Sequence, residues 1–210
     1  MLINKEEIIS YLNKAKALIN EKDLTMEQIY NYTFIQNKKG TAFEYFDFNN
    51  KYRSLSFKQV NKNVVKYASI ISKKLEGLEK HHPVVLKYTN SPEWCELFYA
   101  ILMAGYKPLL VNAKTSKDGV LNLAKQAKAV AVIRDDPFTY EIRKLVIDEI
   151  MFEKKIKDFK PDWDNEVIFC SSGTTGDVKM MVFNGENLCY QIASSLEMGQ
   201  TTKDIMYPKK

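Results

Sequence analysis

Between residues 83 and 134 short apolar runs alternate with longer amphipathic stretches, and this alternation constrains the fold more than any other feature of the chain. The runs Pro83–Tyr88, Pro108–Asn112 and Val130–Ile133 are strand-length and rich in Val, Leu and Ile. Between them lie helical patterns: Ser91-Pro92-Glu93 through Trp94, Leu97, Phe98, Ile101 and Leu102 to Gly105, then Ser116–Ala127. Strand, helix, strand, helix, strand at this spacing predicts a parallel sheet covered by helices, because parallel neighbours need a crossover and a helix supplies it. The expected class is α/β with a mainly parallel sheet flanked by helices.

The flanking segments extend the pattern. Residues 5–20 place Ile8, Ile9, Leu12, Ala15 and Ile19 on one helical face. Thr25-Met26-Glu27-Gln28 and Ser56-Phe57-Lys58-Gln59 both have the capping-box form that opens a helix. Thr41–Phe48, a turn at Asn49-Asn50 and Tyr52–Leu55 read as a β-hairpin. The helix after Ser56 carries Val60, Val64, Ala68, Ile71 and Leu75 inward and stops at Gly77. Residues 137–160 are amphipathic and Lys-rich, which predicts a helix and then a solvated segment. Strands follow at Val167–Cys170 and Met180–Phe183, and Asn184 is placed to cap a last helix through Leu188, Ile192 and Leu196. The expectation is one α/β domain over residues 1–210, with 1–40 as a helical lead-in.

Composition narrows the function classes. With 210 residues and 45% apolar content the chain has enough material for a hydrophobic core. Its longest apolar candidates, Phe98–Gly105 and Ala127–Ile133, are far short of the roughly 18–20 residues of a membrane span. Met1-Leu2-Ile3-Asn4-Lys5-Glu6-Glu7 lacks the basic head and apolar stretch of a secretory signal, so a cytoplasmic location is expected. Three widely spaced cysteines and two adjacent histidines, His81 and His82, give no zinc framework. The net charge of +5 comes from lysines scattered among acids, not from a basic stripe with stacking aromatics, which argues against nucleic acid as a partner.

One segment carries chemistry. Ser171-Ser172-Gly173-Thr174-Thr175-Gly176-Asp177-Val178-Lys179 packs four hydroxyls, two glycines and a lysine directly behind an apolar strand. Glycines let successive backbone N–H groups converge on an anion, hydroxyls donate to phosphate oxygens, and lysine adds a compact charge. The spacing is not that of the common phosphate loop, in which four residues separate the glycines and the lysine adjoins the second. Composition alone leaves two readings open, a polyphosphate cradle and a plain polar surface loop.

Ser171–Lys179 resembles the signature of AMP-forming adenylating enzymes, whose usual form is Ser-Ser-Gly-Thr-Thr-Gly-x-Pro-Lys-Gly. That family includes acyl-CoA synthetases, luciferases and peptide-synthetase adenylation domains. Leu55-Ser56-Phe57-x-x-Val60 is similar to its early helix start, and Asn90-Ser91-Pro92-Glu93-Trp94 to its Asn-Ser-x-Glu helix entry. Leu102–Asn112 resembles its Leu-x-Ala-Gly-x-x-x-Val-Pro-Leu-Asn segment, and Asn187-Leu188 its helix beyond the loop. The resemblance implies the incomplete N-terminal large domain of an adenylate-forming enzyme.

By that resemblance Thr174, Thr175, Gly176 and Lys179 hold the β- and γ-phosphates of ATP, and Ser171, Ser172 and Gly173 shape the loop. It implies ATP and Mg²⁺ as cofactors. The parent enzyme's partners are a carboxylic acid and a thiol acceptor, either CoA or the pantetheine of a carrier protein. Val178 stands where the family has Pro, Met180 where it has Gly, and Asn184-Gly185 where it has Thr-His. No later Tyr-Gly-x-Thr-Glu or Thr-Gly-Asp segment follows, and the C-terminal lid domain with its adenylating lysine has no counterpart. The chain is therefore expected to contribute the phosphate loop of an acid–thiol ligase, to hold no catalytic residue or metal ligand of its own, and to be inactive alone. The alternative is a non-catalytic nucleotide- or partner-binding module on the same fold.

Other residues take ordinary readings. Asp135-Asp136 reads as a turn of solvated acids, His81-His82 as loop, and Trp94, Phe98 and Tyr99 as core. Cys170, beside the loop with no base nearby in sequence, reads as a structural thiol.

Overall fold

A computed structural model describes residues 24–36, 39–47, 49–136, 138, 140, 143–146, 150, 153–170, 179–191 and 194, with the isolated positions 13 and 17; for 143–146 it describes the backbone alone. The chain divides into two compact units, Met26–Val182 and a second made of Met1–Thr25 with Phe183–Lys210.

The larger unit opens with α1 (Met26–Tyr30), where the Thr25 signal placed a helix start. The helix loosens at once into a π-turn over Asn31–Ile35. Tyr30 and Phe34 are buried there against Tyr99, with ring centroids 5.1 and 5.3 Å away. The hairpin is present as β1 (Thr41–Phe46) and β2 (Tyr52–Ser56), paired antiparallel. Its turn is built on Asp47, whose Oδ1 accepts the Asn49 and Lys51 N–H groups at 3.0 Å, while Asn50 takes the left-handed conformation (φ 55°).

Ser56 ends β2 and caps α2 (Phe57–Lys74). Its Oγ accepts the Gln59 N–H at 3.3 Å and its own N–H donates to Gln59 Oε1 at 2.9 Å, so the capping box read from sequence is formed. Val60, Val64, Tyr67, Ala68, Ile70 and Ile71 face inward. Each of the Val and Ile side chains among them contributes roughly 1.5–3 kcal/mol by leaving water.

The sheet begins at β3 (Pro83–Lys87), buried along its whole length. Ser91 then caps α3 (Pro92–Met103), accepting the Trp94 N–H at 3.3 Å, with Pro92 where a missing N–H leaves nothing unsatisfied. The chain continues through β4 (Lys107–Val111), α4 (Lys117–Ala127) capped by Ser116, β5 (Ala131–Arg134), β6 (Arg143–Val146), β7 (Glu166–Cys170) and β8 (Met180–Asn184). The order across the sheet is β6-β5-β3-β4-β7-β8. The pairs β3–β4, β3–β5, β4–β7 and β5–β6 are parallel, with Val85 opposite both Leu109 and Val132.

Successive side chains of a strand point to opposite faces, and the core divides accordingly. Val84, Leu86, Ala131 and Ile133 pack with α2 and α3, whereas Val85, Leu109, Val111, Val132 and Ile168 pack with α4. The fold is thus α/β, a mainly parallel sheet flanked by helices, as the alternation of runs required. Trp94 and Phe98 stack at 5.7 Å and Tyr99 meets Phe98 edge-on, all three packed on the core.

One expectation is overturned. Within 137–160, read as helix and then solvated segment, Arg143–Val146 is a strand paired with β5. The polar spacing that suggested a helix is equally compatible with a short outer strand, and the open edge of β5 decides in favour of pairing. Further on, Lys154, Lys155, Lys157 and Asp158 are exposed as read, while Glu153 forms an ion pair with Lys74 at 2.7 Å.

Of the second unit, described residues include Leu24, Thr25 and 183–191. Asn184 caps the helical residues 185–191: its Oδ1 accepts the Asn187 N–H at 2.8 Å and its N–H donates to Asn187 Oδ1 at 3.2 Å. The expected helix over residues 5–20 falls outside the described residues apart from 13 and 17, both helical.

Candidate functional site

The connections that leave β3 and β5 run in opposite directions. From β3 the chain crosses by α3 to β4, and from β5 it passes to β6 on the other side. In open α/β sheets such a divergence leaves a crevice at the carboxyl ends of the strands, where ligands bind. The residues placed there are Lys87 at the end of β3, Arg134 at the end of β5, and Asp135 and Asp136 just beyond.

Lys87 lies opposite Arg134 in the parallel register and is 1% exposed. Two cations side by side in a dry place require an anion, because an unpaired buried charge costs several kcal/mol. Asp136 supplies it: its carboxylate forms an ion pair with Lys87, lies 3.7 Å from Arg134, and accepts the Tyr140 hydroxyl at 2.9 Å and the Phe138 N–H at 2.9 Å. Burial pushes the Asp136 carboxyl up, but the hydrogen bonds from Lys87, Phe138 and Tyr140 outweigh it and hold it below its ordinary value. Burial and the bond to Asp136 raise the Tyr140 hydroxyl. Arg134 Nε is buried with no hydrogen-bond partner among the described residues. Asp135 Oδ2 accepts the Thr89 N–H at 2.8 Å and ties the β3–α3 turn to the end of β5.

Asp135 is exposed, as read, but the reading of Asp136 as a solvated acid is corrected. Only 11% of the Asp136 side chain is exposed, and it anchors a buried cluster. Sequence reasoning missed Lys87, Arg134 and Tyr140 altogether. A signal was available, since a lysine closing the apolar run Val84-Val85-Leu86 has to be buried with it or be paired. Among the described residues no group of three or more His, Cys, Asp or Glu side chains forms a metal-binding cluster.

The glycine- and hydroxyl-rich segment leaves the sheet from the carboxyl end of β7, two strands from β3. Ser171, Ser172, Gly173, Thr174, Thr175 and Gly176 lie outside the described residues. Lys179 is described, exposed, immediately before β8. Cys170, the last residue of β7, is half-buried, and burial raises its thiol, which suits a structural role better than a nucleophile. At the other end of the strands His81 sits in a loop, as read, with Nδ1 2.8 Å from the buried Asp164 carboxylate.

A parallel sheet with a diverging pair of strands and a charged carboxyl edge defines an α/β ligand-binding fold. The chain belongs to the AMP-binding enzyme family, whose model matches residues 35–208. A curated relative, 2-succinylbenzoate–CoA ligase of Bacillus velezensis, is 25% identical over 198 residues, which are 89% of this chain and 37% of the ligase. Among solved structures, O-succinylbenzoate Coenzyme A synthetase from Bacillus subtilis in complex with AMP superposes with a TM-score of 0.67 at 19% identity. That match covers 79% of this chain and 44% of the synthetase. The N-terminal subdomain of NpsA from Klebsiella oxytoca, in complex with 3-hydroxybenzoyl-AMSN, gives 0.64 at 17% identity, over 77% of this chain and 41% of its own. The fold is that of the N-terminal subdomain of adenylate-forming enzymes, and this chain spans less than half the length of these relatives.

Proposed function

We propose that the chain is the N-terminal part of an ATP-dependent, AMP-forming carboxylic acid–thiol ligase of the acyl-CoA synthetase kind. In this reading it contributes the ATP phosphate-binding loop. The family match over residues 35–208 carries the proposal, since it includes the whole of Ser171–Lys179. The starting point of the loop at the end of β7 supports it, because that is the edge at which such sheets meet ligands. Lys87 and Arg134 both face the Asp136 carboxylate. In this reading the grip on a polyanion comes from Lys179, the hydroxyls of Ser171, Ser172, Thr174 and Thr175, and the loop amides at Gly173 and Gly176.

Adenylation joins a carboxylate to the α-phosphate of ATP and releases pyrophosphate. The barrier arises from two anions approaching while charge builds on the leaving group, so fixed donors and a lysine are what the protein must supply. Thr174, Thr175, Gly176 and Lys179 hold the β- and γ-phosphates in this reading. Mg²⁺ usually binds through one or two carboxylates plus substrate phosphates, and the acidic clusters of an all-protein site are not found among the described residues. The ion would therefore arrive with the triphosphate and neutralise its charge. The chain alone binds nucleotide and does not turn over, and the acid, the CoA or carrier-protein thiol and a cytoplasmic setting belong to the parent enzyme.

A second reading, a non-catalytic nucleotide- or partner-binding module, is favoured by Val178, Met180 and Asn184-Gly185, which replace the stiffening Pro, the permissive Gly and the Thr-His of the family pattern. Calorimetric titration with Mg·ATP tests both readings. Loss of one charge-assisted bond of about 1.5–3 kcal/mol predicts affinity roughly ten- to a hundredfold lower in Lys179→Ala. Wild-type protein that binds no ATP removes the loop assignment. Pyrophosphate exchange by the chain alone, over a panel of carboxylic acids, removes the claim of inactivity.

A further inference from the structure

Glu96 lies on the face of α3 that packs against α2 and is 1% exposed. An ionised carboxylate has about four acceptor sites to fill. Among the described residues one donor is seen to reach it, the Asn63 side-chain amide from α2 at 2.9 Å. The nearby Tyr30 hydroxyl is turned away and donates to Asn61 Oδ1 at 2.6 Å. Among the described residues no Lys, Arg or His forms an ion pair with Glu96.

The titratable groups around it offer no relief. Glu93 on α3 is a like charge, and the Cys95 thiol beside Glu96 is itself pushed up by burial to about 12. Tyr67 of α2, Tyr30 of α1 and Tyr45 of β1 all feel the Glu96 charge as a further reason to stay protonated. Arg53 and Asp47, from the hairpin, act on Tyr45 with opposite signs.

We propose that Glu96 is a proton-operated lock on the seam between α2 and α3: with its proton the seam stays dry and closed, and on ionisation the two helices loosen. Burial, countered only by Asn63, carries the carboxyl from its ordinary value of 4.5 to about 7. The folded state therefore holds this proton more tightly than the unfolded chain does. Its contribution is complete below about pH 4.5, declines as pH rises towards 7, and is gone above that. The lock is independent of the nucleotide loop and would work in a binding module as well as in a ligase.

The test compares urea unfolding of the full 210-residue chain with that of Glu96→Gln from pH 5 to pH 8. The wild-type unfolding constant is expected to rise at least about tenfold over that range, and the variant's to rise much less. The histidine pairs His81–Asp164 and His82–Glu79 remain in both proteins, so the difference between the two curves is the readout. Equal slopes overturn the proposal. If Glu96→Gln does not fold, a carbon-13 NMR titration of the wild-type Glu96 carboxyl decides. A midpoint near neutrality supports the lock, and one near 4.5 overturns it.

Discussion

At the amino ends of the parallel strands a set of main-chain hydrogen bonds ties neighbouring segments together, beside the side-chain pairs His81–Asp164 and Lys107–Glu166, whereas the carboxyl ends rely on side-chain charges. His81 N–H donates to Gly105 O at 2.8 Å, Lys107 N–H to His82 O at 3.1 Å, Val130 N–H to Pro83 O at 2.9 Å, and Asp162 N–H to Met103 O at 3.0 Å. The opposite edge depends on Lys87, Arg134, Asp135, Asp136 and Tyr140. A main-chain tie tolerates most side chains but not a change of backbone shape. A side-chain tie tolerates backbone adjustment but not a change of charge. One end therefore serves as a foundation, and the other can be retuned residue by residue.

Substitutions separate the two ends. The largest effect is expected at the charged edge. Asp136→Ala strands the buried Lys87 and should destabilise the fold by about 3 kcal/mol in urea unfolding, while the double variant Lys87→Met with Asp136→Leu should recover most of the loss. No recovery would mean that shape, not charge, governs this edge too. At the amino end Gly105 has φ +85°, and a Cβ there would sit 2.8 Å from Asp162 O. Gly105→Ala is accordingly expected to cost about 2 kcal/mol by the same measurement. A neutral result would show that the main-chain ties yield more easily than their geometry suggests. The smallest effect belongs to Ser91→Ala, which removes the α3 cap and should cost about 1 kcal/mol in thermal or urea unfolding.

What could be read in the sequence was local chemistry. Ser56, Ser91 and Asn184 announce their helices through side chains that satisfy N–H groups a few residues away, and the structure forms each of these caps. The buried strands announce themselves by unbroken apolar runs, as β3 does. Arg143–Val146 did not, because an outer strand takes its identity from the free edge of β5 and not from its own pattern. The Lys87–Asp136 pair was invisible for a similar reason. Its members are 49 residues apart, and nothing near Asp136 reveals that the fold buries it. Of the candidate phosphate segment, only its place of departure after Cys170 and the position of Lys179 can be compared with expectation, and both fall where a strand-to-loop reading put them.

The strand order has a consequence for how such a chain is made. β3 comes first in sequence among the six strands of the large sheet, yet it lies inside the sheet. A polypeptide emerging amino end first lays down β3, adds β4 to one flank and β5 to the other, then β6 outside β5 and β7 outside β4. At no stage must two partners separate to admit a newcomer. Synthesis and assembly can keep pace with one another, each arrival finding an open border and closing it before the next appears.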